Sequence, residues 1–345
     1  MMAKAPSDHR SDAPPGAAQH RLGEFEMIAR HFAPLAADAP GAYHLKDDVA
    51  VWQASAGAEL VLTVDMLVEG VHFFATDPAD LIARKLLRVN LSDLAAKGAT
   101  PRGYLLSMAL PAKIDEAWLA LFTQGLAHDQ AQYGISLWGG DSVSTSGPLT
   151  LSLTAIGETP VGKTLRRGGG VVGDGIYVTG AIGDAALGLK VAQGDLATLP
   201  RQARDYLHNR YLLPEPRVKA GQRLRGLAHA ALDVSDGLMA DLGHLCAQSG
   251  TGARIDSGAI PLSAAARQVV TADSARLETI LSGGDDYEIL FCAARSSESE
   301  VMALASACGH AITLIGLLVS PDLGVRVVDA QGQPITLRRA GYTHF

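Results

Sequence analysis

The fold is decided by three consecutive stretches of sequence, ELVLTVD at residues 59–65, DPADLIARKLLRVNLSDLAAKGA at residues 77–99 and YLLSMAL at residues 104–110. The first and the third are short apolar runs bounded by glycine, proline or charge, a pattern that is typical of buried strands. The middle stretch begins with Asp77 as a candidate helix N-cap and Pro78 in the first turn, and it stops at Gly98. A strand, a long helix and a strand in this order predict an α/β fold.

The pattern of strands and helices continues on both sides of this unit. Apolar residues at three- and four-residue spacing predict a first helix from Leu22 to about Ala37. A further helix is predicted at residues 115–133, and strands are predicted at residues 135–138 and 149–156. The second half of the chain is predicted to hold strands at residues 175–178, 228–234, 287–293 and 312–319 and helices at residues 183–191, 237–248 and 297–307. The fold class is therefore predicted as α/β (α+β), with mixed sheet plus helices in both halves.

The length of 345 residues argues for two domains, because a domain usually has about 100 to 200 residues. A basic, glycine-rich segment, GKTLRRGGGVVGDG at residues 162–175, is a candidate junction. We predict an N-terminal domain over residues 22–159 and a C-terminal domain over residues 160–345. Residues 1–21 lack hydrophobic periodicity and contain three prolines, so they are predicted to form a disordered tail.

Residues 157–164, GETPVGKT, match the phosphate-binding loop pattern G-x-x-x-x-G-K-[ST]. That motif requires a following helix whose N-terminus faces the phosphates. The next residues are LRRGGGVVGDG, and each glycine opposes helix formation by roughly 1 kcal/mol. The context favours an interdomain loop over a phosphate loop, although Arg166 and Arg167 could still contact a phosphate.

The composition excludes several classes of function. With 36 acidic and 29 basic residues the net charge is −7, the wrong sign for a protein whose main partner is nucleic acid or an anionic membrane. No stretch of 18 apolar residues predicts a membrane span, and no apolar segment near the start predicts a signal peptide. The three cysteines share no short spacing, which favours a reduced compartment. We therefore expect a cytoplasmic protein that binds neither nucleic acid nor membrane.

Aspartates recur where an apolar run meets a turn or a helix start. A single aspartate of this kind is usually an N-cap or turn residue, but several together could converge on a crevice at the strand ends. Two carboxylates about 4 Å apart repel by roughly 4 kcal/mol at an effective dielectric near 20, so a convergent set needs cations. Oxygen-only donors select Mg²⁺, and the chemistry implied is metal-assisted phosphoryl transfer. The candidates are Asp47, Asp48, Asp65, Asp93, Asp141, Asp233, Asp236, Asp285 and Asp286.

Eleven motifs follow one another along about 320 residues from Gly23 onward. They are GEFEMIARHF, DDVAVW, TVDMLVEGVHF, DPADLIARKLLRVNLSDLAAKGA, GGDSV, LRRGG, GDGIYVTG, RYLLPEPRV, LDVSDGL, SGGDDYEILF and GYTHF. In order and spacing these motifs resemble the thiamine-monophosphate kinase family, in the superfamily that includes aminoimidazole ribonucleotide synthetase and selenophosphate synthetase.

This resemblance implies a reaction, a set of cofactors and an assembly. ATP would donate its γ-phosphoryl group directly to thiamine monophosphate, giving thiamine diphosphate, with several Mg²⁺ ions and no phosphoenzyme. The fold would be aminoimidazole ribonucleotide synthetase-like. The N-terminal domain would bind ATP and Mg²⁺ and would form a barrel across a homodimer interface, and the C-terminal domain would complete the nucleotide and substrate site.

The resemblance also assigns residues, each by its position in these motifs. The implied metal ligands are Asp48, Thr63, Val64, Asp65, Asp93, Asp141, Asp233 and Asp236, with Val64 contributing at most its backbone carbonyl. The implied ATP contacts are Gly140, Asp141, Arg167 and Ser235. The implied contacts to thiamine monophosphate are His72, Asp285 and Tyr342. Packing roles remain alternatives for His72 and Tyr342.

Three positions depart from the family pattern. Lys46 stands where the family usually has glycine, Val64 replaces a threonine, and Asp285 replaces a more common glutamate. These changes bear on the affinity for metal or substrate more than on the class of reaction.

Two alternative functions remain open at this stage. One is another ATP-dependent enzyme of the superfamily, an amidine cyclase or a selenophosphate synthetase. The latter is expected to carry a reactive cysteine near the N-terminus, whereas the first cysteine here is Cys246. The other alternative is a catalytically silent dimer that binds nucleotide, which would be expected to have lost aspartates that this chain retains.

Overall fold

Two β-sheets, one in each half of the chain, organise the structure. The computed structural model describes residues 22–338 together with Gly341 and Tyr342. The predicted tail at residues 1–21 lies outside the described residues. Mixed sheet and helix occur in both halves, which confirms the predicted fold class. None of the described helices is both long and apolar enough to cross a membrane.

The first half of the chain forms a four-stranded sheet with two long helices against one face. Its elements are α1 (Glu24–Met27), β1 (Ala58–Val68), α2 (Ala79–Ala96), β2 (Thr100–Pro111), α3 (Glu116–Tyr133), β3 (Ser136–Thr145) and β4 (Thr150–Pro160). The strand order is β1-β4-β2-β3, in which only β2 and β3 are parallel. Helix α3 begins where the side chain of Asp115 accepts a hydrogen bond from the Trp118 N–H at 2.8 Å, and it ends at the left-handed Gly134.

The opposite face of this sheet is apolar and largely uncovered by the described chain. Successive residues of a strand point to opposite faces. Along β1, Leu62 and Val64 are 62% and 60% exposed, whereas Thr63 and Asp65 lie half-buried on the face toward α2. We call the exposed side, which carries Leu60, Leu62, Val64 and Met66, the outer face.

The second half of the chain forms a seven-stranded sheet with helices around it. Its strands follow the order β11-β10-β7-β9-β5-β8-β6 and pair antiparallel except for β10 with β7. The strands are β5 (Gly175–Thr179), β6 (Ala230–Asp233), β7 (Gly252–Asp256), β8 (Ile289–Ala293), β9 (Ile312–Val319), β10 (Val325–Val328) and β11 (Pro334–Ile335). The helices are α4 (Asp184–Ala192), α5 (Arg201–Leu212), α6 (Val218–Leu224), α7 (Leu238–Ser249), α8 (Ala264–Ala272), α9 (Arg276–Ser282) and α10 (Glu298–Cys308).

Helix α2 joins the two halves. It packs on the first sheet and on α3 with one side, and on α6 and β6 of the second half with the other. Fourteen of its 18 residues are buried, as expected for a helix that is covered all round. Four of the buried residues are polar, and three of these, Lys85, Arg88 and Ser92, share one stripe at spacings of three and four.

The segment between the two sheets confirms that GETPVGKT is not a phosphate loop. No helix follows Thr164, and residues 161–174 run as turns and irregular chain. The glycines are needed for close packing, since a Cβ at Gly168 would come within 2.6 Å of the Gln248 carbonyl oxygen.

Two details of the predicted secondary structure are wrong. Pro78, not Asp77, occupies the N-cap of α2, and the carboxylate of Asp77 instead accepts a hydrogen bond from the Phe74 N–H at 2.9 Å. The first helix is not regular either. It passes from α1 into a π-helical turn and then a 3-10 turn that contains Pro34, which has no N–H to continue an α-helix.

Candidate active site

Carboxylates from both halves of the chain meet beside α2. Asp65 lies on the inner face of β1, Asp93 lies in the last turns of α2, and Asp233 ends β6. We call these three side chains the carboxylate cluster. The hydroxyl of Thr63 donates a hydrogen bond to Asp93 at 2.5 Å. The structure therefore brings four of the expected metal ligands to one place at the junction between the domains.

The charges of the carboxylate cluster oppose one another. Burial, reinforced by the charges of Asp93 and Asp233, raises the pKa of Asp65 to about 7. Burial and the charge of Asp93 likewise raise the pKa of Asp233 to about 7, although the hydrogen bond from Ser92 favours the ionised form. Burial and mutual repulsion therefore outweigh the nearby positive charge of Lys97 at Asp233.

The cluster suits a hard divalent cation in charge and in donor type. Its donors are carboxylate and hydroxyl oxygens, which Mg²⁺ prefers, and Mg²⁺ usually completes its shell with water and phosphate oxygens. Within the described ranges, no three His, Cys, Asp or Glu side chains are gathered closely enough to form a ready-made metal site. The protein residues therefore fit Mg²⁺ as some of its ligands, with water and phosphate oxygens as the others, and they do not enclose the ion by themselves.

The turn after β6 is held by one buried carboxylate. Asp241, in the first turns of α7, accepts hydrogen bonds from the backbone N–H groups of Ser235, Asp236 and Gly237 at 3.0, 3.0 and 3.1 Å. Asp236 and Ser235, an expected metal ligand and an expected nucleotide contact, thus lie on a fixed turn beside Asp233. The N–H of Tyr342 donates to the Asp236 carbonyl oxygen at 3.0 Å, so Tyr342 also reaches this turn.

The expected substrate residues His72 and Asp285 both contact Lys85 at the domain junction, His72 through its backbone carbonyl oxygen and Asp285 through its carboxylate. The ring Nδ1 of His72 accepts a hydrogen bond from the Val68 N–H at 3.0 Å, which fixes the loop after β1. Asp285 has a left-handed φ of +72°, and its N–H donates to the Ser235 carbonyl oxygen at 2.9 Å. Non-glycine residues with a left-handed backbone are often found at functional sites.

Val64 stands apart from its neighbours because its side chain lies on the outer face. Backbone hydrogen bonds join Gly57 to Val161 and Glu69 to Leu149, and the register between β1 and β4 has no shift between these pairs. The odd-numbered residues of β1 are therefore the ones whose backbone groups bond to β4. Val64 lies between them, so its carbonyl oxygen points to the edge of the sheet. Only this backbone oxygen, and not the side chain, could serve as a ligand.

Asp48, Gly140 and Asp141 are not part of the carboxylate cluster. They line a groove of about 1700 Å³ that runs along the outer face, together with Leu62 and Trp52. Asp48 and Asp141 are exposed, in contrast to the half-buried Asp65 on the other side of the sheet. The single chain therefore separates the expected metal ligands into two groups on opposite faces of the first sheet.

Arg167 lies near Lys97, and Lys97 in turn lies near Asp233 and Asp93 of the carboxylate cluster. The Lys97 ammonium group donates to the Ala231 carbonyl oxygen at 3.0 Å. Burial lowers the pKa of Lys97, and the nearby Arg167 charge acts in the same direction, while Asp233 and Asp93 oppose the change. With Arg166 and His244, Arg167 also lines a small cavity of about 450 Å³.

Several residues of the site were not predicted from the sequence. Lys85 contacts both His72 and Asp285, Ser92 binds Asp233, and the side chain of Asn90 accepts a hydrogen bond from the Asp65 N–H at 3.1 Å. The sequence does contain a sign of these residues, because they are polar residues on a helix that is otherwise apolar enough to be buried. Their spacing of three and four residues places Lys85, Arg88 and Ser92 on one side of α2.

Comparison with known proteins identifies the class and then the family. Residues 46–159 match the model of the N-terminal domain of AIR synthase related proteins, and residues 171–328 match that of the C-terminal domain. The thiamine-monophosphate kinase of Caulobacter vibrioides is 43% identical over 325 residues, which cover 93% of this chain and 90% of the relative. The chain therefore belongs to the thiamine-monophosphate kinase family of AIR synthase related proteins.

Solved structures agree with this assignment. A crystal structure of thiamine-monophosphate kinase from Stenotrophomonas maltophilia K279a is 41% identical, with a TM-score of 0.77 over 84% of this chain and 91% of that one. A structure of AaThiL complexed with AMPPCP and TMP is 28% identical, with a TM-score of 0.74 over 94% of this chain and 97% of that one. The predicted family is thus confirmed.

Proposed function

We propose that this protein transfers the γ-phosphoryl group of ATP to thiamine monophosphate, producing thiamine diphosphate and ADP. The observation that carries the proposal is the carboxylate cluster of Asp65, Asp93 and Asp233, which both domains build at their junction. The family assignment selects the substrates, since a relative has been solved with AMPPCP and TMP.

The carboxylate cluster would hold Mg²⁺ together with Thr63 and Asp236. Asp48, Asp141 and the Val64 carbonyl lie outside the cluster and would be ligands of further Mg²⁺ ions. Bound Mg²⁺ would neutralise phosphate charge and align the donor and acceptor oxygens. The proposal is supported by the raised pKa values of Asp65 and Asp233. Burial and the neighbouring carboxylates raise them, and a bound cation would stabilise the ionised forms.

The protein residues position the two substrates and need no covalent intermediate. Gly140, Asp141, Arg167 and Ser235 would contact ATP. His72, Asp285 and Tyr342 would contact thiamine monophosphate, with His72 from the first domain and the other two from the second. In-line transfer requires that the acceptor phosphate lie close to the γ-phosphate, and a site between two domains can hold one substrate from each side.

We further propose that the protein is a homodimer joined through the outer face. Leu60, Leu62, Val64 and Met66 form an exposed apolar row on an edge strand. Such a face usually has a partner, and pairing with a second copy would cover it. Pairing would also alter the surroundings of Asp48 and Asp141, whose groove runs along this face.

The domain roles and the location of the protein follow from the same reasoning. Residues 22–159 would bind Mg²⁺ and ATP and form the dimer, and residues 160–345 would complete the nucleotide and substrate sites. The three free cysteines, of which Cys246 and Cys292 are buried, fit a cytoplasmic location.

A product assay tests the proposed function. Purified protein is incubated with ATP and Mg²⁺, with and without thiamine monophosphate, while ADP and thiamine diphosphate are separated by chromatography. Equal amounts of both products, formed only with thiamine monophosphate and lost on chelation of Mg²⁺, are expected. ADP formation that is independent of thiamine monophosphate would instead favour another ATP-dependent reaction of the superfamily.

A further inference from the structure

A buried lysine lies between the two expected substrate residues. The side chain of Lys85, on α2, is only 4% exposed. Its ammonium group donates to the backbone carbonyl oxygen of His72 at 3.2 Å and to the carboxylate of Asp285 at 3.0 Å. One charged group therefore contacts the loop after β1 in the first domain and the loop before β8 in the second.

Aromatic side chains complete the surroundings of this lysine. The Lys85 nitrogen lies 4.0 Å from the centre of the Tyr211 ring, a distance that allows a cation–π interaction. The hydroxyl of Tyr211 is 3.4 Å from the same His72 carbonyl oxygen. On the other side, the Tyr287 hydroxyl donates to Asp285 at 3.3 Å. Lys85 and Tyr287 thus contact different oxygens of one carboxylate.

The backbone of the loop that carries Asp285 packs closely, whereas the Asp285 side chain is partly exposed. A Cβ at Gly284 would come within 2.2 Å of the Ser235 carbonyl oxygen, so the loop lies directly on the turn after β6. Asp285 and Tyr287 both have left-handed φ values, of 72° and 52°. The Asp285 side chain remains 34% exposed toward the junction, in contrast to the buried lysine that holds it.

We propose that Lys85 is a positioning residue for thiamine monophosphate: anchored on the His72 carbonyl oxygen of the first domain, it orients the Asp285 carboxylate of the second domain, so that the two domains present one acceptor site. The inference rests on the proposed function and adds a residue to its machinery. It also gives a role to Tyr211, in the segment RYLLPEPRV, whose ring lies against the ammonium group.

A purely structural role explains the arrangement less well. The domains are already joined by other contacts from the same helix, the Arg88 hydrogen bond to the Pro214 carbonyl oxygen at 3.0 Å and the Ser92 hydrogen bond to Asp233. Moreover, an ion pair with one buried member adds little net stability, because desolvation offsets the attraction. What the Lys85 pair supplies is the direction of one carboxylate.

The test measures the equilibrium binding of thiamine monophosphate to the intact protein by isothermal titration calorimetry, with Mg²⁺ present and without ATP. The variants are Lys85→Met, Asp285→Asn and the double variant. Lys190→Met is the matched control, because the Lys190 ammonium group, on α4 of the second domain, donates a hydrogen bond to the nearby side chain of Gln193 at 3.2 Å. Methionine keeps the length and apolar stem of lysine without its charge.

We expect Lys85→Met to weaken thiamine monophosphate binding by about tenfold or more, because small displacements of positioned groups have effects of up to about 100-fold. The KM for ATP should stay within twofold of wild type. The double variant should bind no more weakly than Asp285→Asn alone, since Lys85 acts through that carboxylate. The control should match wild type in both measurements.

Three outcomes would overturn the proposal. Unchanged binding by folded Lys85→Met would assign the lysine a structural role, as would additive losses in the double variant. An equal rise in the KM for ATP would also exclude positioning of the acceptor. If Lys85→Met unfolds, the double variant, which leaves neither an unpaired carboxylate nor an unpaired ammonium group, is compared with Asp285→Asn, and weaker binding by the double variant would overturn the proposal. Wild-type protein that neither binds thiamine monophosphate nor forms product would overturn the proposed function itself.

Discussion

The hydroxyl of Ser92, on helix α2 of the first domain, donates a 2.7 Å hydrogen bond to the carboxylate of Asp233, at the end of β6 in the second domain. Both residues are buried. The hydrogen bond stabilises a negative charge that burial and Asp93 oppose. The candidate metal site is therefore a property of the docked domains, and neither domain contains all of it.

Ser92→Ala should weaken metal binding without removing any proposed ligand. A hydrogen bond to a charged group contributes about 1.5–3 kcal/mol, and loss of a partner that orients a ligand typically lowers metal affinity by about 10- to 100-fold. The measurement is the Mg²⁺ concentration that gives half-maximal activity. Ser306→Ala is the control, since Ser306 is exposed on α10 and bonds only locally to Met302. An unchanged Mg²⁺ dependence would show that the contact does not tune the site.

Asp65→Asn should separate activity from stability. Asparagine keeps the shape but removes one of the charges that repel within the carboxylate cluster, so the metal-free protein should unfold at the same or a higher temperature. Turnover should fall on the order of 100-fold, because a metal contact supplies several kcal/mol and about 1.4 kcal/mol is a factor of ten. Calorimetric unfolding and steady-state rates check both parts. A variant with wild-type turnover would remove Asp65 from the proposed ligands.

Leu62→Lys should break the proposed dimer. Leu62 is 62% exposed on the outer face, and a charge there would be buried without a partner if a second copy packs against it. Light scattering after size-exclusion chromatography should give twice the chain mass for wild type and the chain mass for the variant. Met302→Lys, which changes an exposed apolar residue on α10, should leave the mass unchanged. A monomeric wild type would contradict the proposal directly.

Gly140→Ala should destabilise the first sheet. A Cβ at Gly140 would lie 1.8 Å from the Leu106 carbonyl oxygen on the paired strand, so β2 and β3 would have to separate. Overpacking of this kind typically costs about 1–3 kcal/mol of unfolding free energy. Gly243→Ala is the matched control. Gly243 lies within α7 with open space around it, and alanine there should stabilise by up to about 1 kcal/mol. Denaturant unfolding measures both changes.

The elements around apolar runs could be predicted from the sequence, and those set by tertiary contacts could not. The sequence predicts the strands at Ala58–Val68 and Ile312–Val319 and the helix at Glu116–Tyr133, and the structure confirms them with small differences at their ends. Helix α5 was missed because its sequence is strongly polar and is held by packing against α4 and α8. Strand β7 has only five residues, one of them an arginine, and it exists because β9 and β10 pair with it.

The site was predictable in its carboxylates and not in the residues that hold them. Aspartates that follow apolar runs identify Asp65 and Asp233 as candidates. Asp233 does end its strand, whereas Asp65 lies within β1, which continues to Val68. The sequence could not show that Ser92 and Lys85 reach the second domain, since this depends on how α2 docks. Nor could it show that Asp48 and Asp141 lie on the other face of the first sheet from Asp65, because strand register and the path of the preceding loop decide that.

The central claim is direct transfer of a phosphoryl group from ATP to thiamine monophosphate. It is tested most directly in a single-turnover experiment with ATP labelled at the γ-phosphate and enzyme in excess over ATP. All of the label should pass from ATP to thiamine diphosphate at one rate, with none attached to protein at any time and no transfer when Mg²⁺ is chelated. Label that appears in inorganic phosphate, or on the protein before it reaches the product, would contradict the account.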